Sequence, residues 1–255
     1  MNLYKDLMST LPDGDISQVL IGLRWTAVVS KVYGNLQCGL ASTLAANHDH
    51  HSAPDVPSAG QLEISNGITL AACAESDSSV MRSVGVAAIN SLLLSQNQPL
   101  VDQNAEEVIA AYGNGKRVVL VGSFPFIPRL ESRVGNLTVL EITPSPGELP
   151  KNLAKDVIPT ADVLAITGMT LINHTLESLL DLCSSQALVI LLGPSAPLSP
   201  VMFDYGVDLI CGSVVTDLEQ VIRAIRQGAN FRQVHRAGVR LVSMARETLL
   251  IDYSI

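Results

Sequence analysis

The sequence predicts an α/β protein in which a parallel open sheet over residues 99–255 follows a smaller α+β domain over residues 1–98. Three observations lead there. Five short, uniformly apolar runs recur after residue 116, segments of helical length separate them, and the first hundred residues carry a β-rich hairpin followed by helices instead. Apolar runs without period-two alternation are the mark of parallel strands covered on both faces. Strand–helix alternation with short connections builds right-handed βαβ units, so the second domain is expected to be Rossmann-like.

In chain order, residues 18–30 (QVLIGLRWTAVVS) are rich in β-branched and aromatic side chains and predict a strand. Gly34-Asn35 is a turn signal, and residues 37–44 return as a second strand, giving a hairpin or meander. Residues 47–60 are polar, with two prolines and the cluster His48, Asp49, His50 and His51, and predict a loop. Residues 68–75 and 79–94 predict helices. The second is apolar on nearly every side, which places it in an interior. Residues 96–103 read as the linker. Strands follow at 116–123, 137–142, 162–167, 188–192 and 207–211. Between them, residues 173–184 put Leu176, Leu179, Leu180 and Cys183 on one helical face. Residues 217–228 put Leu218, Val221, Ile222 and Ile225 at helical spacing, opened by the capping-box pattern Thr216-x-x-Glu219 and closed by Gly228.

Composition bounds the function. Hydrophobic residues make up 47% of the 255, charged residues 16% and aromatics 4%, a core-rich globular balance resting on aliphatic side chains. The net charge is −8. Residues 1–100 hold four Lys/Arg and eight Asp/Glu, residues 101–255 twelve and sixteen, so no charge asymmetry suggests a nucleic-acid surface. Six arginines between Arg223 and Arg246 form either a solvated helix face with its tail or a clamp for an anion. The N-terminus lacks the apolar stretch of a signal peptide, and no apolar run reaches membrane-spanning length. Cys38, Cys73, Cys183 and Cys211 include no CxxC pair, as expected of reduced thiols in a cytoplasmic protein. The apolar tail over 238–255 docks on its own domain or on a partner, which leaves the oligomeric state open.

In an open parallel sheet, ligands bind beyond the carboxyl ends of the strands, where strand order reverses. The residues at those ends are Gly122, Ser123 and Phe124, then Glu141, Thr167 and Gly168, and finally Gly193, Pro194 and Ser195; Asn173 and Thr175 open the next helix. Small and polar residues here allow close approach and orient a ligand. Glu141 lies 19 positions after Gly122, near the spacing at which an acidic residue takes ribose hydroxyls. However, Pro125 and Pro128 remove amide donors that a pyrophosphate needs, which argues against NAD or FAD. A nucleoside-like, polyol or heterocyclic ligand remains, with Phe124 and Phe126 as stacking faces or as core. Asn173 is an N-cap candidate, and His174 a weak general-base candidate. The sequence names no cofactor.

The run Thr167-Gly-Met-Thr-Leu-Ile-Asn-His-Thr-Leu-Glu, followed by Leu191-Leu-Gly-Pro-Ser-Ala-Pro-Leu, resembles the signature of the putative heavy-metal chelation family, a prokaryotic group of unknown function. Gly122-Ser-Phe-Pro-Phe and Val139-Leu-Glu141 resemble its earlier strand ends. Gly22-Leu-Arg-Trp-Thr26 and Cys38-Gly-Leu-Ala41 resemble its accompanying domain, which is similar to the N-terminal domain of enolase. The resemblance implies a site at the junction of the two domains and a role in handling metal-chelating small molecules. It makes Arg24, Trp25, Thr26, Cys38 and Asn90 candidates for the front wall of that site.

The leading expectation is therefore a protein that binds or acts on a pterin-, flavin- or siderophore-like metabolite in the cleft. Glu141 and Asn173 would carry any chemistry, and Thr175 and Ser195 would orient the ligand. One alternative is an S-adenosylmethionine-type transferase using Glu141. Another is a non-catalytic metal-binding protein using His48, His50 and His51, although consecutive ligands in one loop lack structural-metal spacing. The expected partner is a small molecule, with no nucleic acid and no membrane.

Overall fold

The computed structural model of the chain describes residues 2–45, 53–93 and 100–246. It begins with α1 (Leu3–Ser9), whose first turn is capped by Asn2 accepting the Lys5 amide at 3.0 Å. Three strands, β1 (Asp15–Ile21), β2 (Trp25–Val32) and β3 (Asn35–Ser42), then form an antiparallel meander. Residues 18–30 are thus two strands, not the single one expected. The Gly22 amide donates to the Trp25 carbonyl at 3.0 Å and closes a tight turn, one that β-branched residues on both sides hide from view in the sequence. Two short helices, α2 (Gly67–Ala71) and α3 (Ser79–Leu92), complete the front part, with a 3-10 turn at Ala72–Glu75 between them.

The remainder alternates strands and short helices: β4 (Val101–Asp102), α4 (Ala105–Gly113), β5 (Arg117–Val121), α5 (Ile127–Leu130), β6 (Asn136–Glu141) and β7 (Leu149–Pro150), then α6 (Ala154–Val157), β8 (Val163–Thr167), α7 (Met169–Ile172), α8 (Leu176–Leu180) and β9 (Leu188–Leu192). It closes with α9 (Val201–Asp204), β10 (Leu209–Val215), α10 (Leu218–Arg226), α11 (Phe231–Arg236) and β11 (Val239–Ala245). The eight strands of this sheet run in the order β4-β11-β10-β9-β8-β5-β6-β7. The five apolar runs are β5, β6, β8, β9 and β10, mutually parallel, as expected. Part of the apolar tail becomes β11, antiparallel to β10. From β5 the chain steps outward to β6 and then crosses back to β8, so strand order reverses between β5 and β8. No helix among the described residues is long and apolar enough to cross a membrane.

Two local expectations change. The helix expected over 173–184 is broken: α7 ends at Ile172, His174 adopts φ 57°, and only Leu176–Leu180 is helical afterwards. The cap of α10 is Asp217, not Thr216; its carboxylate accepts the Gln220 amide at 3.1 Å, while the Thr216 hydroxyl donates to the Gly238 carbonyl at 2.9 Å.

One apolar core runs through both sheets. It joins Leu3, Val28, Val84 and Ile89 in the front part to Leu164, Ile166, Leu171 and Ile210 behind them. On its other face the meander packs Ala27, Val29 and Leu40 against Val221, Ile222 and Ile225 of α10. The small sheet is therefore covered on both sides. Polar ties cross the same seam. The Tyr4 hydroxyl donates to the Leu171 carbonyl, Arg82 Nε donates to the Ile172 carbonyl at 2.6 Å, and the Tyr205 hydroxyl donates to Asp6 at 2.6 Å.

Backbone contact at two glycines sets how closely α3 lies on its neighbours. A Cβ at Gly39 would stand 2.1 Å from the Ala87 carbonyl oxygen, and one at Gly85 would stand 1.9 Å from the Ala74 nitrogen. Helix propensity alone favours alanine over a mid-helix glycine by about 1 kcal/mol. Overpacking against backbone costs about 3 kcal/mol, so packing decides the sign. Gly85→Ala and Gly39→Ala are each expected to destabilise the protein by about 2–3 kcal/mol. Urea unfolding checks this: the midpoint falls while the slope m stays constant. A midpoint that rises for Gly85→Ala would mean α3 is not in backbone contact.

Candidate functional site

A cleft of about 1110 Å³ opens at the carboxyl ends of the parallel strands, above the point of strand reversal. That slightly exceeds the roughly 300–1,000 Å³ of ordinary small-molecule sites. Its floor is the loops after β5, β6, β8 and β9 with Cys211 and Gly212 of β10, and the front meander and α11 wall one side. The loops after β8 and β9 touch at Gly168, where a Cβ would stand 2.6 Å from the Ala196 nitrogen.

Most of the strand-end residues singled out above line this cleft: Gly122, Ser123, Phe124, Glu141, Thr167, Gly168, Asn173, Thr175, Gly193, Pro194 and Ser195. Their commitments differ. Glu141 ends β6, and among the described residues its carboxylate accepts only the Ile142 amide, at 2.6 Å, and pairs with no cation. Phe124 and Phe126 stack with centroids 5.1 Å apart. The Ser123 hydroxyl donates to Glu148 at 3.0 Å, and the other Glu148 oxygen accepts the Ser145 amide at 2.8 Å, so Ser123 pins the loop after β6. Asn173 is not an N-cap; it closes α7, its backbone amide donating to the Met169 carbonyl at 3.1 Å. Its carbonyl oxygen accepts from the Thr175 amide at 3.2 Å and hydroxyl at 2.6 Å, which makes a turn between α7 and α8. That leaves the Asn173 amide nitrogen as the free end of the side chain. Ser195 is buried and accepts the Ser42 amide at 2.9 Å, holding β3 to the loop after β9.

The front-wall candidates separate. Trp25 lines the cleft, with its ring 5.5 Å from Phe231. Arg24 is exposed and lies outside the lining. Thr26 is fully buried, its hydroxyl 2.9 Å from that of Thr43. Asn90 sits behind the wall, where its amide donates to the carbonyls of Leu40 at 2.9 Å and Pro194 at 3.3 Å. Cys38 packs beside the apolar group of β2, β3 and α10, and burial pushes its thiol up to about 12. His174 faces the seam instead of the cleft: its ring donates to the Ala74 carbonyl at 2.8 Å and tilts against Tyr4 at 5.2 Å. His48, His50 and His51 lie outside the described residues. Among the described residues no three His, Cys, Asp or Glu side chains converge as metal ligands.

Sequence reasoning missed Ser42, Lys151, Lys155, Asn230, Phe231 and His235, all on the cleft wall. A signal for α11 existed in Asn230-x-x-Gln233, a full capping box in the structure. Of the six clustered arginines, only Arg232 lines the cleft; Arg223 pairs with Glu219 and Arg240 with Asp102. The strongly perturbed ion pair lies elsewhere. Arg117 holds the Asp162 carboxyl well below its usual range, at the amino ends of β5 and β8, opposite the cleft.

Residues 104–244 match a family, DUF364, described as putative heavy-metal chelation, and residues 4–93 match a second, DUF4213, with the same description. An uncharacterized protein of Methanocaldococcus jannaschii is 31% identical over 158 residues, which span 58% of this chain and 60% of that relative. The chain is also similar to a solved structure of a protein with unknown function from the DUF364 family of Desulfitobacterium hafniense DCB-2, with TM-score 0.82 and 24% identity over 96% of this chain and 98% of that one. A second, from Pyrococcus horikoshii, gives TM-score 0.77 and 20% identity over the same shares. These two likenesses bear on the fold.

The thiols yield a direct check. Only the thiolate is nucleophilic, and burial raises Cys38 and Cys211 furthest above the ordinary thiol range. Native protein treated with iodoacetamide at pH 8 is expected to label at the half-buried Cys73 and Cys183 first and to leave Cys38 and Cys211 unmodified, as read by peptide mass spectrometry. Rapid native labelling of Cys38 would show an exposed, activated thiol instead.

Proposed function

The chain belongs to the putative heavy-metal chelation family, and on that premise we propose that its cleft binds a small, planar, metal-chelating metabolite of the pterin, flavin or siderophore-precursor class. The observation that carries this reading is the pairing of an uncommitted carboxylate with a stacked aromatic pair. Glu141 bears no ion pair, and Phe124 and Phe126 stand at the neighbouring strand end, above the strand reversal. A carboxylate has two oxygens, enough to receive two adjacent N–H or O–H donors of a heterocycle or a diol. The aromatic faces favour a flat ligand. The Asn173 amide nitrogen, left over once its carbonyl has bonded Thr175, supplies a donor on the facing loop.

Because no three metal-ligating side chains converge among the described residues, the ion in this reading travels as part of the ligand. The protein grips the organic chelator. Lys151 follows directly on Pro150, the β7 partner of Glu141, and Lys155 lies four residues further on in α6; both bring positive charge to the cleft. Such charge suits the acidic groups that make a metabolite a chelator.

Calorimetric titration tests the reading with biopterin, riboflavin 5′-phosphate and S-adenosylmethionine, each with and without equimolar Ni(II). One of the two planar ligands is expected to bind, and Glu141→Gln is expected to weaken it about tenfold, the loss that follows from removing a charged hydrogen-bond acceptor. S-adenosylmethionine is expected to give no heat. Absence of heat from both planar ligands at millimolar concentration, or full affinity in Glu141→Gln, would contradict the proposal.

A further inference from the structure

The opposite end of the cleft holds an aromatic wall that the reading above does not use. Trp25, at the start of β2, lies 5.5 Å from Phe231 at a tilt of 51°, and Phe231 stacks on His235 at 6.1 Å and 26°. All three line the cleft, as does Arg232. Phe231, Arg232 and His235 stand on α11, which is fixed at the mouth by its capping box, by Val234 buried beneath it and by β11 following antiparallel on β10. Phe124 and Phe126 follow β5, whereas this wall is built from β2 and α11.

The chemistry of the wall is specific. Arg232 has no acidic partner among the described residues, whereas Arg129, also on the cleft, is held by Glu106. Four Arg or Lys side chains line the cleft against two carboxylates, in a chain whose net charge is −8. The indole N–H of Trp25 is buried and has no acceptor among the described residues, so it takes no part in the wall's open face. Flat faces and an unpaired guanidinium together describe a receptor for a flat acid.

We propose that Trp25, Phe231, Arg232 and His235 form a second subsite, which takes a planar aromatic group carrying an acidic substituent, with the ring against Phe231 and the acid on Arg232. The proposal rests on the cleft being a ligand site but on none of the residues around Glu141.

Trp25 is the only tryptophan in the chain, so its emission reports on this subsite alone. The probes are quinoline-2-carboxylate and its neutral amide, which share one ring system and differ in charge. Quenching is corrected for absorbance against free N-acetyltryptophanamide. The carboxylate is expected to quench saturably, with a midpoint at least tenfold below that of the amide. Arg232→Gln is expected to raise that midpoint about tenfold and to erase the difference between the probes. Phe231→Leu should weaken both probes, and Arg236→Gln, on the same helix but off the cleft, should change neither. Equal midpoints for acid and amide in the unmodified protein, an unchanged midpoint in Arg232→Gln, or quenching that never saturates would each overturn the subsite. Arg232-dependent quenching together with a failed titration of the Glu141 end would sink only the first reading; the reverse pattern would sink only this one.

Discussion

The site depends on the contact between α3 and β3, and on the way that pair is pressed onto the loops after β8 and β9. Gly39 brings the backbones of β3 and α3 together, and Gly85 does the same for α3 and the turn at Ala72–Glu75, where side chains would hold them apart. The apolar core then continues from Val28, Val84 and Ile89 into Leu164, Ile166 and Leu171 without a polar break. Burial on this scale is non-directional, so it brings the two sheets together without setting their register. Hydrogen bonds supply the register. Ser42 donates to Ser195, Asn90 reaches from α3 to the Pro194 carbonyl, and Arg82 reaches the end of α7. The Ser195 and Pro194 acceptors belong to the loop after β9, and Ile172 ends the short helix that follows β8. The front sheet therefore does more than cover the cleft: it holds the loops that shape it.

The charges fit the same division. The bidentate surface pairs, Arg117 with Asp162 and Arg133 with Glu107, lie where water screens them, and each contributes little to stability. Within the cleft the pairing is incomplete. Glu141 at one end and Arg232 at the other have no partner of opposite charge among the described residues. Groups left uncommitted on the wall of a cavity are the ones a ligand can engage, whereas those already bonded, such as Ser123 to Glu148 and Ser195 to Ser42, serve to keep the wall in place. Desolvation raises the thiols of half-buried Cys38 and buried Cys211 above the ordinary range, which disfavours the nucleophilic thiolate.

Much of this was legible in the sequence, and the remainder was hidden for physical reasons. The five parallel strands were readable because burial on both faces makes each a solid apolar run, and the strand-end residues of the cleft followed from parallel order alone. The two-residue strands β4 and β7 are too short to leave a pattern. The turn between β1 and β2 uses Gly22-Leu23-Arg24 without proline or asparagine, and so it read as continuous strand. His174 breaks a helix by adopting a left-handed backbone that its residue type seldom signals. The α11 wall escaped because it comes from beyond the last parallel strand; only the antiparallel return of β11 carries Phe231 and Arg232 to the mouth. Resemblance nominated five front-domain residues, and of these Trp25 alone lines the cleft, since alternation along β2 turns Thr26 into the core.

The central claim is that the front part and the parallel sheet are one cooperative body whose shared core fixes the cleft. Urea unfolding followed by two probes tests it most directly: the emission of Trp25, which reports on the front sheet, and far-UV circular dichroism, which reports on the whole chain. A single shared core requires the two transitions to coincide in midpoint and slope. A Trp25 transition complete before the far-UV signal begins to fall would show that the front part melts by itself, and the cleft would then have no fixed wall.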